Sequence, residues 1–251
     1  MNLKRAFIVW HRNFTVYTKL YKTSIALNFI DPVLYLLALG LGLGQFVNKI
    51  NGIPYINYIA PGIIASSSMF AAVYECTYGT YVRMTFQKTF DAILATPVNI
   101  DDLILGEILW GATKSTFYGV IIMIVNSIFG LINSPLIIFA TIIVFLCGLI
   151  FAEISIIFIS IIPGIDSLNY FFTLLITPMF LFSGIFFPLN NMPDIVKNIA
   201  FFTPLYHLVN VCRAFSNGLL ENSINDILWI TITSVILAPL SFMLLKKRIL
   251  K

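Results

Sequence analysis

The sequence predicts an all-α integral membrane protein with six transmembrane helices. Three observations carry that prediction. Of 251 residues, 59% are hydrophobic and only 10% are charged, against about 25% charged in soluble domains. The mean hydropathy is +0.94. Charge is also absent over long stretches. No Asp, Glu, Lys or Arg lies between Asp31 and Lys49, Lys49 and Glu75, Lys114 and Glu153, Asp166 and Asp194, or Asp226 and Lys246. A helix needs roughly 20 mostly apolar residues to cross the hydrocarbon, so each gap hosts a span or most of one. A water-soluble enzyme, a nucleic-acid module and a disordered chain are all excluded by this balance.

The elements follow in order. Residues 1–22 carry Lys4, Arg5, Arg12, Lys19 and Lys22, interleaved with Phe7, Trp10, Phe14, Tyr17 and Tyr21. The aromatic residues recur at steps of 3 and 4, so on a helix they form a stripe roughly opposite the cations. That pattern predicts a separate amphipathic helix on the membrane surface, aromatic residues in the headgroups and cations toward phosphates. The alternative is an amphipathic helix packed on protein. The segment lacks the apolar core of a cleavable signal. The remainder, 23–251, is the membrane-spanning domain.

The predicted spans are Ser24–Val47, Tyr58–Val82, Leu103–Leu131, Pro135–Ile162, Leu168–Phe187 and Ile227–Leu245. Asp31-Pro32 is expected to break the first near its start, because proline removes a backbone donor. Asn51-Gly52, Pro97, Asn133-Ser134-Pro135, Pro163-Gly164 and Pro188 punctuate the others. With six spans both termini share one side. That side collects eleven of the fifteen basic residues, among them Arg83, Lys88, Lys246, Lys247, Arg248 and Lys251. The positive-inside rule makes it the cytoplasm. Asp194–Phe215 is apolar but holds Lys197, Pro204, His207 and Arg213. A seventh span there would spoil the charge asymmetry, so a pair of short re-entrant or interfacial helices on the outer face is expected.

Several groups of residues are candidates for function. Between spans two and three, Phe86, Phe90, Ile93 and Leu94 fall at helical spacing, flanked by Lys88, Thr89 and Asp91 and closed by Thr96-Pro97. Asp101 and Asp102 stand where the next helix needs a cap. A short amphipathic helix with exposed aromatic residues suits a knob that plugs into a cytoplasmic partner; the alternative is a helix resting on the bilayer. Glu75, Lys114 and Glu153 lie inside predicted spans, where charge is costly and marks function or interhelical contact. Lys114 either snorkels or pairs with Glu107, two turns earlier. Gly40, Gly42 and Gly44 permit close helix approach, at a dimer interface or within one subunit. Cys76, Cys147 and Cys212 are odd in number and widely spaced, so they form no disulfide framework or zinc site. No Gly is followed by Lys, which excludes a Gly-Lys phosphate loop. No catalytic constellation is readable around His207.

The segments PVLYLLALGLGLG (32–44), APGIIASSSMFAAVYECTYGTYVRM (60–84), KTFDAILATPVNIDDLILGEILW (88–110), FSGIFFPLNNMP (182–193) and PLYHLVNVCR (204–213) carry a resemblance over almost the whole chain. In this order they resemble the type-2 ABC exporter permeases, and within them the nodulation protein J-like branch. The resemblance implies an interface helix, six spans, a coupling helix formed by Lys88, Thr89, Phe90, Asp91, Ile93, Leu94 and Pro97, and short outer helices. It implies a homodimer in the bacterial inner membrane with two copies of a separate ATP-binding subunit, which holds ATP and Mg; this chain binds no cofactor and is not an enzyme. It implies export of an amphiphile such as a lipo-oligosaccharide, a lipid-linked glycan or a hydrophobic drug. Glu75, Glu153, Pro204, His207 and Arg213 are then candidates for the path or its gate. The chief alternative is an ion-coupled secondary transporter with Glu75 and Glu153 as proton carriers, although no internal repeat supports it. A membrane-bound transferase using His207 and a purely structural scaffold are the remaining readings.

Overall fold

The computed structural model describes residues 2–47, 49, 50, 52–219 and 223–250, and of residues 20–29 the backbone alone. Asn51 and Lys251 lie outside the described residues, as do the side chains of Tyr21 and Lys22. Helices account for nearly all of it, and no strand occurs among the described residues.

Helix α1 runs Leu3–Leu37, capped by the Asn2 side chain accepting from the Lys4 amide at 3.0 Å. It passes unbroken through Pro32. The expected switch at Asp31-Pro32 is therefore not made. A proline inside a helix forfeits one hydrogen bond, and neighbouring groups in a bundle compensate it. The helical path continues to Gln45 through a wider π turn and a 3-10 turn. α2 covers Tyr55–Tyr74 and extends through two π turns to Phe86. α3 is short, Thr89–Leu94, and starts after Lys88, whose φ of 52° is left-handed. α4 is Ile100–Ile128, and α5 is Ala140–Ile161 after the 3-10 turn Pro135–Phe139. α6 (Leu168–Phe171) and α7 (Thr177–Phe182) are joined by a π turn into one rod. The pair of short helices expected over 194–215 appears as α8 (Asp194–Phe201) and α9 (Pro204–Asn217). α10, Ile224–Ile249, follows them.

Among the described residues, five helices are long and apolar enough to cross a membrane: Tyr55–Phe86, Ile100–Ile128, Pro135–Ile161, Ile165–Phe182 and Ile224–Ile249. They match predicted spans two to six to within a few residues. Within the first predicted span, Ile30–Gln45 is an apolar helix that continues the α1 path.

In lipid, helices associate by close packing rather than by transfer from water, so small residues set the tightest contacts. A Cβ added at Gly106 of α4 would fall 2.6 Å from Val9 Cβ and 2.9 Å from the Ala6 carbonyl. Only glycine lets α1 lie this close to α4. Ala6 and Val9 are buried there, and Phe7, Trp10 and Phe14 stack along the helix. The N-terminal helix is thus seated on α4, the packed alternative, while Phe7 and Phe14 keep exposed faces. α4 also packs on α2 and α5, and α10 lies along α5.

Candidate functional site

At the end of the bundle that carries α3, acidic and basic side chains join α1, α2 and α4. α2 and its extension carry Glu75, Thr80 and Arg83, and α4 carries Glu107 and Lys114. Lys114 Nζ donates to Glu75 Oε2 at 2.8 Å. Glu75 Oε1 accepts from Arg83 Nη1 at 2.6 Å. The same guanidinium donates through Nη2 to Glu107 Oε2 at 2.6 Å and to Thr80 Oγ1 at 3.1 Å. Glu107 Oε1 accepts from Asn13 Nδ2 of α1 at 2.7 Å. Asn13 Oδ1 accepts from Arg12 Nη1 at 2.9 Å. One continuous chain therefore runs Lys114, Glu75, Arg83, Glu107, Asn13, Arg12. Glu107 is buried and Arg83 nearly so. The charges of Glu75, Arg83, Glu107 and Lys114 are tolerated at this depth because each faces an opposite charge.

Two expectations change here. Lys114 does not pair with Glu107. Seven residues of straight helix separate them by about 10 Å, too far for contact but right for gripping α2 residues between them. Arg83, read from sequence as a loop cation, lies on the extension of α2 and is the hub of the network. Its signal is weak: one arginine after a run of apolar residues reads as a helix flank. Only the extra turns of α2 carry it into the bundle.

A cleft of about 380 Å³ opens beside the network, lined by Arg12, Tyr17, Tyr78, Val82, Trp110 and Lys114 among others. Trp10 Nε1 donates to Thr113 Oγ1 at 2.9 Å and holds α1 against α4 nearby.

The loop helix α3 hangs from the same end. Asn99 caps α4 and forms a capping box with Asp102, so Asp102 serves at the third helical position rather than as the cap. Asp102 Oδ1 also accepts from the Asn2 amide at 2.6 Å, tying the start of α1 to α4. Phe90 is not exposed. It is buried with Val9, Leu103 and Ile104, because a helix this short cannot hold its place without an anchor. Thr89, Ile93 and Leu94 are half-buried, while Lys88, Asp91 and Pro97 are exposed. The exposed aromatic residue of this stretch is Phe86.

Glu153 stands apart. It is buried on α5 beside Ser234 of α10, and its Oε2 has no hydrogen-bond partner among the described residues. Gly40 packs against Ile56, whereas a Cβ at Gly42 or Gly44 would meet nothing within 4 Å among the described residues. Cys76, Cys147 and Cys212 are free thiols buried in the packing.

At the opposite end of the bundle, Pro204 opens α9 as its first residue, where proline's missing donor costs nothing. His207 Nε2 donates to the Phe201 carbonyl at 2.7 Å, and Nδ1 meets Asp226 Oδ1 of α10 at 2.5 Å. Its ring stacks on Trp229 at 4.1 Å. Arg213 Nη2 donates to the Gly184 carbonyl at 3.0 Å, and its guanidinium lies 4.1 Å over the Tyr58 ring. His207 and Arg213 thus tie α9 to α10, to α2 and to the loop after α7.

Comparison with known proteins adds a family. The model of the ABC-2 type transporter family matches residues 4–215. Nodulation protein J of Rhizobium meliloti (strain 1021) is 37% identical over 210 residues, covering 84% of this chain and 80% of that protein. Nodulation protein J of Rhizobium leguminosarum bv. viciae is 37% identical over 205 residues, covering 82% and 79%. The inner membrane transport permease YadH of Escherichia coli (strain K12) is 20% identical over 228 residues, covering 91% and 87%.

Proposed function

The chain belongs to the ABC-2 type transporter family, and from that premise we propose that it is the permease of an ATP-driven exporter of an amphiphile. It is a multi-pass membrane transport protein; its proposed cargo is a lipo-oligosaccharide, a lipid-linked glycan or a hydrophobic drug. In this reading it works as a homodimer in the bacterial inner membrane, both termini cytoplasmic. Gly42 and Gly44 are then open to the second copy. Two copies of a separate ATP-binding subunit carry ATP and Mg.

The observation that carries the proposal is the seating of α3. Its outward face, Lys88, Asp91 and Pro97, is free, while Phe90 on its inner face is wedged between α1 and α4. A push on α3 then reaches α4 directly and α2 through the Arg83 bridge to Glu107. Closure of the ATP-binding subunits would move α2 and α4 as one piece, and the α9 contacts of His207 and Arg213 would follow at the far end. Work is delivered only if the two states of the permease bind the partner differently.

The ion-coupled alternative is disfavoured by Glu75. A carboxylate gripped by both Arg83 and Lys114 is a poor proton carrier, since protonation would strand two cations.

The test is Asp91→Lys, which reverses charge on the free face of α3 without touching its anchor. Thermal stability should stay within about 0.5 kcal/mol of wild type. Co-purification with the ATP-binding subunit and stimulation of its ATPase should fall severalfold. Unchanged association and stimulation would overturn the docking assignment.

A further inference from the structure

We propose that the cleft between α1, α2 and α4 binds the phosphate of an anionic lipid headgroup, with Arg12 as its main partner. Three cations line or adjoin it, Arg12, Arg83 and Lys114, against two carboxylates, Glu75 and Glu107. Glu75 is shared by Arg83 and Lys114, and Glu107 is held by Arg83, Thr80 and Asn13. Arg12 is left over. Among the described residues it makes no ion pair, and its hydrogen bond goes to a neutral amide oxygen. Burial first, and then repulsion from Arg83, holds its guanidinium below the ordinary value, with Glu107 pulling the other way. A half-buried cation in that position is stabilised by one negative charge, and a phosphodiester supplies one.

One further observation points to a lipid headgroup in the cleft. The walls are Tyr17, Tyr78 and Trp110, amphipathic rings of the kind that line the headgroup level of bilayers. The cleft holds about 380 Å³, room for a headgroup but not for acyl chains, which would stay in the bilayer. The inference rests on the membrane placement proposed above and not on coupling to ATP.

The experiment is native mass spectrometry of the full-length chain in mixed micelles holding equal phosphatidylglycerol and phosphatidylcholine. Wild type should retain phosphatidylglycerol about fivefold in excess, the preference one well-placed cation confers near a membrane. Arg12→Gln should bring the ratio near one, Arg12→Lys should keep most of it, and Lys4→Gln, an exposed cation on the same helix, should leave it unchanged. Val82→Phe fills the cleft without altering charge and should also abolish the preference. No preference in wild type, survival of the preference in Val82→Phe, or an equal loss in Lys4→Gln would overturn the proposal. Displacement of the lipid by millimolar glycerol phosphate would show a soluble-anion site instead and overturn the lipid assignment. Since none of these readouts involves ATP, their failure leaves the α3 docking test standing, and the reverse holds too.

Discussion

The two ends of the molecule neutralise charge in different ways. At the α3 end, Arg83 meets carboxylates from two helices, and each carboxylate meets a second cation or donor. At the α9 end, Arg213 meets a backbone carbonyl and a ring, and His207 meets a carbonyl and one carboxylate. The contacts of the α3 end run from side chain to side chain, so the loss of one partner by mutation can be compensated by changing the other. Those of Arg213 end on main chain and aromatic surface. They position α9 and, among the described residues, leave no ionic partner through which to compensate. The network at the α3 end suits a joint that moves α1, α2 and α4 together; the contacts at the α9 end suit a strap that holds a short helix in place.

The largest expected effect breaks the joint. Arg83→Gln leaves Glu107 and Glu75 without their shared cation, at a cost of about 3–5 kcal/mol, as for other broken buried pairs. Thermal unfolding in detergent should show it, and adding Glu107→Gln to Arg83→Gln should recover a good part. No recovery would mean that the joint is not electrostatic.

Arg213→Met comes next. It removes a charge-assisted hydrogen bond and the contact with Tyr58, together about 2–3 kcal/mol. Stability should fall less than with Arg83→Gln, and transport more than stability alone explains if α9 gates the path. A loss as deep as that of Arg83→Gln would erase the distinction between the two ends.

His207→Phe keeps a ring over Trp229 but loses both hydrogen bonds, about 1–2 kcal/mol. Asp226→Asn in the wild-type background should cost less, because an amide can still pair with Nδ1 as donor or as acceptor. The two variants, compared by thermal unfolding, separate the bond to Phe201 from that to α10.

The smallest effect is expected for Lys246→Gln. Its pair with Asp101 is 3.0 Å long, but both side chains are at least a third exposed. Exposed pairs contribute about 0–1 kcal/mol, so unfolding should shift by no more than about 0.5 kcal/mol. A larger shift would show that ionic contacts at the α3 end act over a wider area than the buried chain.

Much of this architecture is legible residue by residue. Charge-free gaps mark the spans because solvation of a charge in hydrocarbon is costly whatever the fold. Asp101 and Asp102 mark the start of α4 to within a turn through local chemistry alone, although Asn99 is the residue that caps it. Gly40 announces a close approach, and its neighbour is Ile56 in the same chain. Other features are not local. Phe90 has the spacing of an exposed stripe residue, and its burial depends on Val9, Leu103 and Ile104, which come from two other helices. Arg83 likewise follows an apolar run as any flanking cation would, and Lys114 has Glu107 at a plausible helical interval. Their true partners lie on separate helices, so no single helical window contains the pairing.

Composition and the placement of charge determined that this protein is helical, that it lives in a membrane, where the second to sixth predicted spans begin and end to within a few residues, and which cations gather at one end. These are properties of single segments against their solvent, and each segment carries them alone. The tertiary structure decided which charges meet. It seated α1 on α4 at Gly106, carried Arg83 into the bundle on the extra turns of α2, and left Arg12 without a carboxylate partner among the described residues. Ion pairing depends on distances of a few ångströms between separate helices, and those distances exist only once the helices have packed.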